Sequence, residues 1–256
     1  HAADARLCPR CGAPLAYALA YYGHLGHYAC TACAFARPAP SIAVVPPLRT
    51  GPARTLLTLQ VPGGHLALAL PLPGLYNVYN ALAAAAAALA LGVPPLAVGR
   101  ALGRFSAAFG RLERVAVGDR VVSLALVKNP VGCTEVLRTL AADGAPKTLL
   151  IAINDLFADG TDVSWLWDVD FEQIAPRVAG AVCSGTRAAD MALRLKYALV
   201  DPARLVVEPD IERALARGLA LTPPAGVLHV LPTYTALLEV RAALHRQGAV
   251  GTFWED

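Results

Sequence analysis

The sequence lacks a long apolar run, although 56% of its residues are hydrophobic and its mean hydropathy is +0.48. Its longest run, Ala81–Leu91, has 11 residues, whereas a membrane-spanning helix needs about 20. The run is rich in alanine and is closed by Gly92 and Pro94-Pro95. We therefore expect a buried helix in a soluble protein without a transmembrane segment. No secretory signal peptide is visible either.

Charge is also scarce, at 16% of residues with a net charge of +3, and this balance argues against a nucleic-acid partner. Only three residues are lysines: Lys128, Lys147 and Lys196. The phosphate-binding motif G-x-x-x-x-G-K-[ST] is absent, which excludes a complete P-loop ligase. The chain begins at His1 without an initiator methionine, and we expect it to be a fragment of a longer protein.

A metal site is the strongest local signal. The pattern C-x2-C-x18-C-x2-C is formed by four cysteines: Cys8, Cys11, Cys30 and Cys33. Two such knuckles predict one tetrahedral zinc, and four thiolates leave no open position, so the zinc would be structural. The alternatives are disulfides or buried free thiols. His24 and His27, between the knuckles, are alternative ligands or ordinary loop residues.

The remaining sequence predicts an antiparallel hairpin followed by an α/β domain. Residues 54–73 contain two strand-like runs joined by Pro62-Gly63-Gly64, and helices are expected at 74–91 and 94–105. Apolar strands are then expected at 121–127, 149–153, 178–183, 204–207 and 227–231, alternating with helices at 134–142, 188–199, 210–221 and 234–247. Such alternation predicts a Rossmann-like, mainly parallel sheet whose ligands lie at the carboxyl ends of the strands.

An acidic loop, residues 154–172, follows one of these strands. It contains two tryptophans and six of the 19 acidic residues, Asp155, Asp159, Asp162, Asp168, Asp170 and Glu172. Carboxylates can bind a cation, act as bases or orient a histidine. The spacing does not fit an EF-hand. A solvated loop packed over its tryptophans is the equally plausible structural interpretation.

Other candidates lie at helix starts. Lys128 and Asn129 precede a helix, where they would suit a phosphate or carboxylate or simply form an exposed helix start. Cys133 starts the same helix, where a thiolate could be stabilised, while Cys183 is expected in the core. A surface ion-pair network is predicted for the polar residues of one helix, Arg187, Asp190, Arg194 and Lys196. Thr233 is expected to cap the last helix.

Several of these segments resemble the MurT family, the Mur-ligase-like subunits of bacterial lipid II isoglutaminyl synthases. The resemblance is carried by the cysteine segment with YYGHLGHYAC, by PGLYNVYNALAAAAA, and by GRLERV followed by VKNPVG. More specific are NDLFADGTDVSWLWDVDFE, RAADMALRLKYA, LPTYTALLEVRAAL and the terminal FWE. The resemblance covers essentially the whole chain but begins partway through the central domain of the family.

The resemblance implies a three-part organisation: a zinc-ribbon insert at 1–40, the end of a Mur central ATPase domain at 41–105, and a Mur C-terminal α/β domain at 106–256. It also implies an ATP- and Mg-dependent amide ligase subunit of peptidoglycan synthesis, inactive alone, in the cytoplasm at the inner face of the membrane. ATP would activate the α-carboxylate of D-glutamate in the lipid II stem peptide as an acyl phosphate. Ammonia from a GatD glutaminase would then give D-isoglutamine.

Site residues follow from the same resemblance. Asn77, Asn80, Lys128 and Asn129 would lie near the nucleotide. Asp168 would complete the Cys-His pair of the glutaminase partner by holding the imidazole of that histidine. Asp170 and Asp162 are the next candidates for this role. Two alternatives are kept: another Mur-type ligase related to folylpolyglutamate synthase, which would use an amino acid instead of ammonia, and a non-enzymatic zinc-ribbon interaction module.

Overall fold

The structure, a computed structural model, describes residues 5–21, 25–51, 54–105 and 111–251. The strands are β1 (Leu15–Tyr21), β2 (Leu25–Cys30), β3 (Ala43–Thr50), β4 (Thr55–Val61), β5 (Gly64–Leu70), β6 (Arg111–Val117), β7 (Arg120–Ala125), β8 (Lys147–Ala152), β9 (Val178–Ser184), β10 (Leu205–Val207) and β11 (Val227–Pro232). The helices are α1 (Leu75–Ala90), α2 (Pro95–Gly103), α3 (Pro130–Ala141), α4 (Ala188–Tyr197), α5 (Ile211–Leu221) and α6 (Tyr234–Arg246). None of these helices is long and apolar enough to cross a membrane.

The carboxyl-terminal part is built on a six-stranded sheet in the order β10-β9-β8-β11-β7-β6. All neighbouring strands are parallel except the β6–β7 pair. One apolar core packs α3 and α4 on one face, and a second packs α5 and α6 on the other. Because strand β8 is covered on both faces, all its residues are buried. The predicted mainly parallel α/β sheet is confirmed.

A second, smaller sheet has the antiparallel order β3-β4-β5 and packs against α1 and α2. The predicted hairpin corresponds to β4 and β5. Strand β3 was not predicted, because it contains Pro46 and Pro47. An edge strand tolerates proline, and the register shifts between Val45 and Arg49 around this pair.

Helix α1 corrects one expectation. We expected it to be buried, but only one face is, formed by Asn77, Val78, Ala81 and Ala85. Alanines on the other side, such as Ala83 and Ala84, are exposed. The helix covers one face of a three-stranded sheet, so a single stripe of side chains suffices for its packing.

The amino-terminal part, residues 5–21 and 25–37, is an antiparallel pairing of β1 and β2 with the four cysteines at its base. None of the three apolar cores contains a residue from this segment. Its stability must therefore come from a source other than apolar burial.

Gly185 offers a direct test of how closely the carboxyl edge of the large sheet is packed. Its φ is +84°, and an added Cβ would lie 2.5 Å from the carbonyl oxygen of Ile153. We expect Gly185→Ala to lower the free energy of unfolding by about 3 kcal/mol, measured by urea denaturation. Gly160→Ala is the matched control: φ is +89° there, but no atom lies within 4 Å of the added Cβ, so the loss should be about 1 kcal/mol. Equal losses would contradict this account.

Candidate functional site

Asn154 organises the carboxyl edge of the large sheet. It follows β8 and is buried, and its Nδ2 donates to Thr235 Oγ1 and to Glu239 Oε1, both at 2.9 Å. Its Oδ1 accepts from the Thr186 N–H at 3.0 Å. One amide thereby joins the end of β8, the turn after β9 and the start of α6.

The first half of the acidic loop is fixed to this edge by its carboxylates. Asp155 accepts from Thr186 Oγ1 at 2.7 Å and from Arg187 Nε at 2.8 Å, and these donors hold its pKa below the usual range. Asp159 accepts from the N–H and the hydroxyl of Thr235, at 2.8 and 2.6 Å. Asp159 therefore caps α6. Thr233 lies at the predicted N-cap position, but its side chain accepts from the Asn154 N–H instead.

The second half of the loop turns through short 3₁₀ helices, the first of them at Ser164–Asp168. The backbone N–H of Ser164 donates to Asp162 Oδ1 at 2.8 Å, which lowers the pKa of Asp162. Apolar side chains anchor this half in the core: Leu166, Val169, Phe171 and Ile174. Asp168 and Asp170, which lie between these anchors, are exposed.

Arg194 holds this half of the loop from beneath. It is 4% exposed, and it donates through Nε to the Leu166 carbonyl at 3.1 Å and through Nη2 to the Val169 carbonyl at 2.6 Å. Glu172 accepts from its two terminal nitrogens at 2.9 and 3.0 Å. These donated hydrogen bonds lower the pKa of the Glu172 carboxyl.

The surface network predicted for α4 is therefore wrong for Arg194, although Arg187 and Asp190 do pair, at 3.3 Å. Arg194 belongs to the buried stripe of α4, with Met191 and Leu195. Its guanidinium lies 5.7 Å from the ring centre of Trp167 and 5.2 Å from that of Phe171. An arginine within an apolar helical stripe was the signal that sequence reasoning missed.

Two carboxylates of the loop have no partner. Throughout the described ranges, Asp168 and Asp170 are the acidic residues whose carboxylates neither accept a hydrogen bond nor form an ion pair. Asp155, Asp159, Asp162 and Glu172 are all occupied. Asp168 and Asp170 are thus the acidic side chains of this loop that remain available to an external group.

The start of α3 lies beside this loop. The Asp170 N–H donates to Thr134 Oγ1 at 3.3 Å, and Gln173 Nε2 donates to the Thr134 carbonyl at 3.0 Å. Helix α3 begins at Pro130, earlier than predicted, because Asn129 Oδ1 accepts from the Gly132 N–H and caps it. Lys128 is exposed and forms no hydrogen bond or ion pair within the described part of the chain.

The other predicted residues are placed as follows. Asn77 is buried and donates to the Pro73 carbonyl at 2.7 Å, while Asn80, one turn further along α1, is exposed. Cys183 lies in the core as expected. Cys133 is fully buried too, and burial raises its pKa to about 12, which contradicts the idea of a stabilised thiolate there. His24 and the terminal FWE lie outside the described residues.

The four knuckle cysteines converge. Their sulfur atoms all lie within 4.8 Å of one another, and none forms a disulfide. The Sγ–Sγ separations include 3.5 Å for Cys11–Cys30, 3.6 Å for Cys11–Cys33 and 3.7 Å for Cys8–Cys33. These values approach the edge of about 3.8 Å in a tetrahedron with Zn–S bonds of about 2.3 Å. The Ala32 N–H lowers the pKa of Cys30 to about 6. His27 is not in the cluster.

Comparison with known proteins finds similarity to MurT subunits. A family profile described as "MurT ligase C-terminal" matches residues 126–237. The chain is 33% identical over 241 residues to "Lipid II isoglutaminyl synthase (glutamine-hydrolyzing) subunit MurT" of Streptococcus pneumoniae, covering 93% of this chain and 52% of that protein. The protein of the same name from Staphylococcus aureus is 30% identical over 244 residues, covering 95% and 53%.

The chain is MurT-like. It spans about half the length of these two relatives. Among solved structures, the MurT-like chain is similar to a pseudomurein peptide ligase type C from Methanothermus fervidus, with a TM-score of 0.66 and 21% identity over 94% of this chain and 49% of that one. At that identity the likeness shows a Mur-ligase-type fold.

Arg194 should be the main stabilising residue of the acidic loop. We expect Arg194→Met to lower the free energy of unfolding by about 3 kcal/mol, because it removes the arginine donor to the buried Leu166 carbonyl, one of two donors to the Val169 carbonyl, and both arginine donors to Glu172. Arg187→Met is the matched control, since the Arg187 side chain is 40% exposed and its loss should cost at most about 1 kcal/mol. Urea denaturation followed by tryptophan fluorescence measures both. Similar losses for the two variants would refute the assigned role.

Metal content tests the cysteine cluster. We expect the purified protein to contain equimolar zinc by elemental analysis, and Cys30→Ser to lose most of it. Cys133→Ala, which changes a cysteine outside the cluster, should retain it. Chelation should abolish the near-ultraviolet circular dichroism of the hairpin tyrosines, because no apolar core supports that segment. Zinc-free protein with an intact tyrosine signal would contradict the assignment.

Proposed function

We propose that this MurT-like chain is part of a lipid II isoglutaminyl synthase subunit, acting in the cytoplasm at the inner face of the membrane. The enzyme would amidate the α-carboxylate of D-glutamate in the stem peptide of lipid II. ATP would convert that carboxylate into an acyl phosphate. Ammonia would attack the acyl carbon, release phosphate and leave D-isoglutamine. The names of the matching relatives support the assignment.

The chain's own contribution would be to complete the active site of a GatD-type glutaminase. The observation that carries this proposal is the exposed, partnerless carboxylate of Asp168 on a loop held by Arg194. A carboxylate fixed in this way can accept the N–H of a histidine and hold the ring in the tautomer that activates a cysteine. Asp170 is equally partnerless, whereas Asp162 is engaged with Ser164, so we rank Asp162 last.

Exposed apolar side chains lie next to Asp168 in the loop and on α4, and we propose that they would seat the glutaminase. Trp167, next in sequence to Asp168, is 52% exposed and packs edge-on against Tyr197 with ring centres 5.6 Å apart. Tyr197 and Leu193 lie one turn apart on α4 and are 64% and 44% exposed. Aromatic side chains of this kind are typical anchors of protein–protein interfaces.

Nucleotide binding is proposed for Asn77 and Asn80 on α1 and for Lys128 and Asn129 at the start of α3. Lys128 and Asn80 are exposed and available to phosphate or adenine, whereas Asn77 and Asn129 already hold backbone groups. None of these four residues is acidic, and the sequence has no P-loop motif. We therefore propose that the 256 residues do not turn over ATP alone.

The three-part division is proposed at 1–40, 41–105 and 106–256, with zinc structural in the first part. It is supported by the distribution of the cores: one uses residues between 42 and 102, two use residues between 115 and 250, and none uses a described residue before 42. A closed set of four thiolates suits structural zinc, which would fix the hairpin and take no part in the reaction.

The experiment that tests the function measures glutamate release by the cognate GatD-type glutaminase with and without this chain. We expect the chain to stimulate hydrolysis and Asp168→Asn to lower kcat by about 100-fold or more, because an amide cannot orient the histidine in the same way. Binding of the two proteins, measured by calorimetry, should change little.

Asp201→Asn is the matched control for charge, because Asp201 is exposed and caps a short turn on another loop. It should stimulate like wild type. Asp170→Asn tests whether Asp170, instead of Asp168, orients the histidine of the glutaminase. If wild type fails to stimulate, or if all three variants match it, the proposed completion of the glutaminase site is refuted.

A further inference from the structure

The net charge of +3 hides a strong asymmetry along the chain. Between residues 5 and 112 there is no aspartate or glutamate, and this segment contains eight arginines. Of the 19 acidic residues, Asp4 precedes this segment and the other 18 follow residue 112. A surface without carboxylates does not repel an anionic partner, so the amino-terminal half is suited to one.

The hairpin at the amino-terminal end of this segment is exposed and apolar. We call residues 5–21 and 25–37 the apolar hairpin. From Cys11 to Ala36 the sequence has no aspartate, glutamate, lysine or arginine. Leu19 is 51% exposed and Leu7 is 64% exposed, and neither belongs to any of the three cores. Leucines exposed in this way are stabilised by a surface that removes them from water.

Aromatic and basic residues belong to the same hairpin. Tyr28 packs between Tyr17 and Phe35, with ring centres 5.8 and 5.7 Å apart. The Arg10 guanidinium lies 5.4 Å from the ring centre of Phe35. Arg6 and Arg10 are exposed at the base of the hairpin. An apolar hairpin with tyrosines and flanking arginines has the composition of a segment that lies in the interface of a bilayer.

We propose that the apolar hairpin docks on an anionic lipid surface. Leu19 enters the boundary between headgroups and acyl chains, and Arg6 and Arg10 contact lipid phosphates. The proposal rests on the proposed function in one respect: the proposed substrate is carried by a membrane lipid. Docking on lipid would bring the chain to that substrate. A nucleic acid would also be attracted by the arginines, but it would gain nothing from exposed leucine.

Vesicle co-sedimentation of the zinc-loaded chain tests this surface. The chain should bind vesicles of equimolar phosphatidylglycerol and phosphatidylcholine, and bind phosphatidylcholine alone more weakly. Leu19→Glu should weaken binding by roughly tenfold or more, because it removes apolar burial and adds repulsion. Leu91→Glu is the matched control: Leu91 is 85% exposed within the same acid-free segment but lies outside the hairpin, so its binding should match wild type.

The double variant Arg6→Gln, Arg10→Gln is a second test that leaves Leu19 in place, and we expect a loss of about tenfold. The proposal is overturned if wild type does not bind the anionic vesicles, or if Leu19→Glu binds as Leu91→Glu does. Binding of a DNA duplex that is insensitive to Leu19→Glu, together with no vesicle binding, would indicate a nucleic-acid surface instead. Glutaminase stimulation is measured without lipid. A failure of the proposed function in that assay is therefore distinguishable from a failure of vesicle binding.

Discussion

The arrangement of the acidic loop depends on one buried cation, the guanidinium of Arg194. Removing an arginine from water is costly, and the cost is offset only when its donors are satisfied. Here two carbonyls, one carboxylate and two aromatic rings surround it. These partners come from separate positions between residues 166 and 172, so the loop has one conformation that satisfies them all. In that conformation Asp168 and Asp170 face outward.

The rest of the loop is fixed by the same use of carboxylates as structural acceptors. Asp159 caps α6, Asp155 holds the turn after β9, and Asn154 joins both to the end of β8. The structural interpretation of this acidic loop is therefore correct for Asp155, Asp159, Asp162 and Glu172, whereas the functional interpretation stays a prediction for Asp168 and Asp170. Acidic side chains with partners shape the edge of the sheet, and the two without partners are left for an external group.

Regular elements were predicted well where one sequence pattern was decisive. Apolar runs such as that of β8 indicated strands buried on both faces, and two C-x-x-C knuckles indicated the cysteine cluster. Errors occurred where position in the fold overrode local pattern. Strand β3 contains two prolines, which only its place at an edge allows. Cys133 starts a helix but is covered by the core, so burial outweighs the effect of the helix terminus on its thiol.

The sequence by itself determined the mainly parallel sheet, the short hairpin and the set of four cysteines, because each depends on spacing between near neighbours. Only the tertiary structure decided which carboxylates are free. Glu172 meets Arg194 across 22 residues, and Asp159 meets Thr235 across 76. Hydrogen bonds between such distant residues exist only after the strands have been brought side by side, so no local pattern could assign them.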